Sequence, residues 1–562
     1  MSDIMKPMPF RQMIERALQE YKDKGKIWNV SKIMKVDHDK KMNIFGETLE
    51  NPLGIAAGPN TQLAHNILAA YAGGARFMEL KTVQIMYGEE LGIPKPCIRA
   101  EDEAYNVEWS SEFRADMARD EYIKAWFGCK VLAKELGFGD PNGFIFNMSV
   151  GYNLEGIKSP LVNEFIDTLM DASGTEQFKE CKEILKDMVG EFEHVDEAFI
   201  DSITPNVCRS MTLSTMHGCP PEEIEAIGTY LLKEKNINTY IKCNPTLLGY
   251  DYVRDILDKM GYDYITFGHP QFDNDLNMEA AVPMIHRLMD LAKELDLSFG
   301  VKLTNTFQVS IKNNELPGQD MYMSGKALYP LSISVARMLS KEFDGKLPMS
   351  FSGGADKNNI AEIFNAGIWP ITVATIVLKP TGLDNTYALA DILAKEEYPT
   401  HRDTNTEKLE ALVEDVVTNK NYVKSAGARK KYDKHKHYDC VHSDTYTCRV
   451  LCQNCVRVCP NRTNEVLELK DTKIILHVDS ICNECGNCQF FCVEPCIPYQ
   501  DRITLFDGEE MLKDSKNEGF AVDGENFVFR WEGEVGTGDY DELPAPLKEV
   551  YDAIKVQHPY LI

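Results

Sequence analysis

Eight cysteines in two short runs constrain this chain more than any other feature. Cys448, Cys452, Cys455 and Cys459, followed by Pro460, form CxxxCxxCxxxCP, and Cys482, Cys485, Cys488 and Cys492 form CxxCxxCxxxC. Three thiolates crowded into one loop hold three irons of a cube, and the fourth cysteine of each run turns to the other cube. The spacing therefore predicts two [4Fe–4S] clusters, one on Cys448, Cys452, Cys455 and Cys492 and the other on Cys482, Cys485, Cys488 and Cys459. Paired CxxC elements also suit structural zinc, but eight cysteines in this double pattern favour iron and sulfide. The first gap is one residue longer than usual and no proline follows Cys492. Cys440 competes with Cys448 from a greater distance, and Cys496 is left over as a free thiol.

Ten of the 16 cysteines lie between Cys440 and Cys496, which marks a cofactor module set apart from the rest of the 562 residues. The N-terminus reads as an amphipathic helix with Phe10, Met13, Ile14, Ala17, Leu18 and Tyr21 on one face. It has no apolar signal core, and no apolar run reaches the about 18 residues of a membrane span, so a cytoplasmic location is expected. In that setting clustered cysteines point to metal ligation over disulfides. The net charge of -27 argues against a nucleic-acid partner, since phosphate binding needs a basic surface. The basic run from Lys430 to His437 reads as a solvated linker face.

From about residue 53 to 395, short β-rich runs alternate with helical stretches, the pattern of a parallel sheet wrapped by helices. The strand candidates begin at residues 53, 76, 144, 210, 239, 262, 299, 348 and 370. That is one more than a (β/α)8 TIM barrel needs, so the sixth or seventh is an insertion. No GxGxxG fingerprint occurs, which leaves no evident Rossmann site for NAD(P) or FAD. The predicted organisation is an N-terminal helix and hairpin (1–52), a barrel (53–395), a linker (396–440), a ferredoxin-like domain (441–501) and a β-rich cap (502–562).

The segments NPLGIAAGP, ELKTVQ, YIKCNP, KLTNT, MSGKALYP and FSGGA follow the order found in FMN barrels of the dihydroorotate dehydrogenase type. With two cysteine runs behind it, the chain resembles the FMN/iron–sulfur half of dihydropyrimidine dehydrogenase. NMSVGYNLEGIK, TLSTMHGCPPEEIEAI, NPTLLGY, ELPGQDMYMSG and CNECGNCQFFC resemble the family named for selenate reductase flavoprotein subunits, associated with anaerobic purine breakdown. The resemblance implies FMN as cofactor. Ala56, Ala57 and Gly58 match the turn against the isoalloxazine, and Lys81 and Thr82 match the pair beside the flavin. Lys242 matches the fifth-strand lysine that stabilises the anionic reduced ring, with Lys302 as competitor. Ser324, Gly325, Gly353, Gly354, Ala374 and Thr375 match the phosphate-binding turns after the late strands.

Related barrels carry a proton-transferring cysteine or serine in a loop after the fourth strand; here Cys219 takes that place, with His217 two residues away to poise it. Burial as a packing residue is the competing reading for Cys219. Asn147, Asn305 and Thr306 match positions that hydrogen-bond ring amides, a task suited to side chains that both donate and accept. Asn106, Glu108 and Trp109 are further pocket candidates. The expected reaction is hydride and proton exchange at a ring double bond of an oxopurine, with a pyrimidine, selenate or a purely electron-transferring role as alternatives. Without a nucleotide site of its own, the chain is expected to pass electrons to a separate FAD-containing, NAD(P)-linked subunit in a hetero-oligomer.

Overall fold

The computed structural model describes residues 5–107, 110–214, 218–425, 448–494 and 496–562. Eight short parallel strands close into a barrel: β1 (Leu53–Ile55), β2 (Phe77–Glu79), β3 (Ile145–Val150), β4 (Cys208–Ser214), β5 (Asn238–Cys243), β6 (Phe299–Leu303), β7 (Met349–Phe351) and β8 (Ile371–Val373). Their residues are mostly buried on both faces, as expected of strands sandwiched between a barrel interior and a helical coat. Gly54 permits closure at β1, because a Cβ there would lie 2.2 Å from the Phe77 carbonyl oxygen.

The ninth strand candidate is resolved by position. Residues 262–268 form no barrel strand; Thr266 only bridges Ser310, and the segment runs over the barrel mouth before the helix Met278–Glu294. Lys242 on β5 and Lys302 on β6 are thus register partners on neighbouring barrel strands. The hairpin of Met42–Ile44 and Glu47–Leu49 closes the opposite, N-terminal end, with Phe45 edge-on to Tyr240 at 5.3 Å.

Two excursions from the C-terminal ends of β2 and β6 meet above the mouth as one four-stranded sheet, in the order Phe307–Ser310, Asp320–Gly325, Glu103–Asn106, Ile98–Ala100. The cysteine-rich module docks on its edge: the backbone N–H groups of Cys97 and Ile98 both donate to the Cys485 carbonyl at 2.9 Å. Gly486, with φ +78°, approaches so closely that a Cβ would lie 2.2 Å from Pro96.

Two boundaries differ from expectation. Residues 396–425 are not a bare linker, since the helix Thr406–Val416 buries Leu409, Val413 and Val416. The ferredoxin-like module and the cap share one six-stranded sheet that runs from Asn464–Glu468 to Glu534–Gly538, with the helix Ala545–Gln557 burying Leu547, Val550 and Ile554 against it. Strand Lys473–Val478 pairs in parallel with Thr504–Phe506, so the apolar alternation of 503–531 completes the module's own core.

At the N-terminus, Arg16 joins three parts of the chain. It bonds Glu465 at 2.5 Å and lies 3.7 Å over the Trp28 ring, which stacks on His65. His65 Nε2 meets the Asn461 carbonyl at 3.0 Å.

Candidate functional site at the barrel mouth

The mouth combines a cationic floor with a polar rim. Lys302 is buried and donates to Glu79 at 2.5 Å and to Thr372 at 2.6 Å. Burial lowers the Lys302 pKa, with Glu79 opposing the shift. Lys242, its register partner, is partly exposed, and its pKa falls to about 8 through desolvation and the neighbouring Lys302 charge. The pair concentrates positive charge at the C-terminal ends of β5 and β6, a place for an anionic group.

Around that floor the other strand ends contribute donors and acceptors. Thr82 Oγ1 and Ser149 Oγ share a hydrogen bond of 2.7 Å, and a Cβ on Gly151 would sit 3.2 Å from Thr82. Ser214, at the end of β4, is in register with Lys242. Ala56 is buried, Ala57 and Gly58 are partly exposed, and Lys81 is buried just beyond β2. Ala57 N–H approaches Glu79 at 3.4 Å.

The late-strand turns converge. Ser324 Oγ lies 2.9 Å from Thr375 Oγ1, and a Cβ on Gly354 would meet the Gly325 carbonyl at 2.4 Å. Gly325 and Gly354 have φ of +74° and +80°, where an L side chain is strained. Gly353 is equally confined, since a Cβ there would sit 2.0 Å from Ser332 Oγ. The helix Tyr329–Glu342 starts four residues after Gly325, and Ala374 caps the single turn Thr375–Leu378. Glycine turns beside a helix start can bring backbone N–H groups against an anion.

The proposed catalytic loop is held by residues that the sequence did not single out. Asp275 accepts Gly218 N–H at 2.6 Å on one oxygen, and Asn244 Nδ2 (3.1 Å) and Thr246 Oγ1 (2.8 Å) on the other. Asn305 Nδ2 continues the chain to Asn244 Oδ1 at 2.7 Å. Cys219 follows Gly218 directly and is partly exposed, and its thiol pKa is pushed up to about 11 by burial, then by Glu223 and Asp275. It therefore carries its proton at neutral pH. His217, Thr215 and Met216 lie outside the described residues, as do Glu108, Trp109, Cys440 and the basic run.

Asn147 sits lower than its expected role requires. Its amide is engaged inside the barrel, accepting from Ser210 at 2.8 Å and donating to Thr212 at 2.9 Å, with 1% exposure. Thr306 is partly exposed beside Asn305, and Asn106 makes only a 3.5 Å contact to the Tyr322 carbonyl. Asn244 stands inside the YIKCNP motif and could have been found there. Asp275 comes from the segment between β5 and β6, and no local pattern announces it.

The structure gathers the cysteines of the two expected sets. Cys455 feels Cys492, Arg502, Cys448 and Cys452, and Cys482 feels Cys459 and Cys488. Cys485 feels Cys97 first and then Cys459 and Cys488, and Cys488 feels Cys459 but also Cys455 and Cys492. Val456, Val458, Ile475 and Tyr499 pack around them. Among the described residues, no three His, Cys, Asp or Glu side chains converge as a single ion would require. In this apolar setting the two expected sets of four cysteines would hold [4Fe–4S] cubes. The second set is buried throughout against the mouth sheet, and Cys448, Cys452 and Cys492 of the first are partly exposed.

A family model described as oxidoreductase YgfK, N-terminal TIM-barrel domain, matches residues 28–424. The chain belongs to that family. It is 48% identical over 401 residues to the oxidoreductase YgfK of Escherichia coli K12, and equally to that of Escherichia coli O157:H7. The match covers 68% of this chain and 38% of each relative, so the chain spans well under half of their length. Among solved structures, the dihydroorotate dehydrogenase of Eimeria tenella in complex with ferulenol aligns at 16% identity and a TM-score of 0.39, over 64% of this chain and 85% of that one. Among the described residues, no helix is long and apolar enough to cross a membrane.

Proposed function

We propose that this chain is the catalytic part of a flavo-iron–sulfur oxidoreductase that adds or removes hydride and a proton at a ring double bond of an oxopurine. The observation that carries the reading is the seating of the second cysteine set on the sheet above the barrel mouth, through the Cys485 carbonyl and the N–H groups of Cys97 and Ile98. It joins a candidate flavin site to a candidate electron carrier through one hydrogen-bonded sheet.

Lys242 would lie at the flavin edge where reduction leaves negative charge, and Ser324, Gly325, Gly354 and Thr375 would hold the phosphate. When bound, FMN supplies hydride chemistry and the switch between two-electron and one-electron transfer. Cys219, protonated at neutral pH, gives a proton to the ring carbon in reduction and takes it back in oxidation. Asp275 fixes the Gly218 N–H and so aims that thiol. Asn305, held by Asn244, and the partly exposed Thr306 beside it offer ring partners of both polarities, which a flat heterocycle with alternating C=O and N–H edges requires. The eight cysteines would hold two [4Fe–4S] clusters as one-electron carriers to a separate FAD-containing, NAD(P)-linked subunit. The oxopurine assignment is supported by the purine-breakdown association of the resembling sequences.

The test is direct. The chain, purified anaerobically, is expected to carry about one FMN, eight irons and eight acid-labile sulfides. After reduction, a panel of oxopurines, pyrimidines, orotate and selenate is offered, and reoxidation of the flavin is followed. Reoxidation by selenate or a pyrimidine alone would overturn the oxopurine reading, and a colourless, zinc-containing protein would overturn the mechanism.

A further inference from the structure

The two cysteine sets differ in the charge around them. Arg502, 2% exposed, donates from Nη2 to Cys496 Sγ at 3.1 Å, and Cys496 Sγ lies 3.2 Å from Cys492 Sγ. Cys496, Cys448, Cys455 and Cys492 are the charges acting most strongly on this guanidinium, and the last three belong to the first set. The second set also has a buried cation beside it, Arg462, on which Cys459 is the leading charge, but that guanidinium donates to the Trp28 carbonyl at 3.0 Å and shares its surroundings with Arg16, Glu465 and Glu20. The groups acting most strongly on Cys482, Cys485 and Cys488 include no cation. Two carboxylates oppose Arg502: Glu494, at 3.6 Å and 20% exposed, and Asp501, which acts on Cys496 and accepts Ile497 N–H at 2.7 Å. Both are better hydrated than the arginine and so better screened.

We propose that Arg502 and Cys496 form a polar relay onto Cys492 that raises the reduction potential of the cluster on Cys448, Cys452, Cys455 and Cys492 above that of its neighbour. The inference rests on the reading that both sets carry [4Fe–4S] clusters. One-electron reduction takes a cluster from the 2+ to the 1+ state, and no bond is made or broken. The added negative charge is stabilised by a buried, permanently charged guanidinium and by hydrogen bonding toward a ligand sulfur, both of which raise the potential. The first electron then rests on the outer cluster, the one with partly exposed ligands, and the inner cluster beside the barrel is the weaker acceptor.

The experiment is an EPR-monitored potentiometric titration of the full chain with dithionite under anaerobic conditions. In Arg502→Gln the higher of the two midpoints should fall, so that at fixed potential the reduced-to-oxidised ratio of that cluster drops about tenfold, equivalent to about 59 mV for one electron. The other midpoint should move far less. Arg502→Lys keeps the charge and should restore most of the shift. Glu494→Gln removes an opposing charge from a partly exposed site and should move the same midpoint upward, which tests the idea even where Arg502→Gln fails to assemble. Cys496→Ala should lower that midpoint with about eight irons retained. Unmoved midpoints in both Arg502→Gln and Glu494→Gln, a shift confined to the lower one, or loss of about four irons in Cys496→Ala would overturn the proposal. Absence of iron from the wild-type chain would instead overturn the cluster reading itself.

Discussion

Lys242 and Lys302 are register partners on adjacent barrel strands, and Lys302 donates to Glu79 at 2.5 Å. Lys302 is thereby a structural cation, and on the proposed reading Lys242 is the one that meets the flavin. Removing one member of a buried pair strands the other, at a cost of about 3–5 kcal/mol. Lys302→Met is therefore expected to destabilise the apoprotein by that amount in denaturant melts. Lys242→Met relieves repulsion between the lysines and should leave the apoprotein's stability within about 1 kcal/mol, yet weaken FMN binding about tenfold or more. Equal melting of the two variants would show that the division is wrong.

The loop of Cys219 offers a second measurement. With the Cys219 thiol pKa near 11, alkylation by iodoacetamide should be slow at pH 7.5 and rise steeply above pH 9. Asp275→Asn removes one of the charges that raise it and should shift the alkylation profile to lower pH. Cys219→Ala should keep FMN and iron and lose most turnover, about a hundredfold or more for a proton-transfer group. Unchanged turnover would return Cys219 to a packing role.

The barrel's alternation of strand and helix was legible because parallel strands buried on both faces leave dense apolar runs in the sequence. YDYITFG was the false strand. Its residues satisfy the same apolar pattern, but Tyr262 donates to the Tyr422 carbonyl at 2.6 Å and Phe267 packs edge-on to Phe307 at 5.0 Å, outside the barrel wall. The cysteine runs stood out in the sequence because their spacing is local. Asp275 was not, since its partners Gly218, Asn244 and Thr246 come from two other loops and meet it only in the fold. Glu79 did leave a trace, because a carboxylate within the FMEL run demands a buried cation, and Lys302 supplies it 223 positions away.

Glu47, partly buried, and His65, buried, contribute to the pH dependence of stability with opposite signs. Glu47 has its pKa raised to about 8 by desolvation, against Arg209 and Lys130. The folded state therefore binds a proton that the unfolded state releases above about pH 4.5, so this contribution is present at low pH and is lost as pH rises through 8. His65 is buried neutral, its pKa lowered to about 3 by desolvation. Its contribution is present above about pH 6.5 and is lost as pH falls toward 3, which amounts to about 2 kcal/mol at pH 5. Glu47→Gln should accordingly stabilise the chain relative to wild type at pH 8 by about 1–3 kcal/mol, with the gain vanishing at pH 4.5. His65→Gln should cost most at pH 7.5 and about 2 kcal/mol less at pH 5. Urea melts of the three proteins at pH 5 and pH 8 separate the two effects, and parallel stability curves would show that neither group titrates as its burial demands.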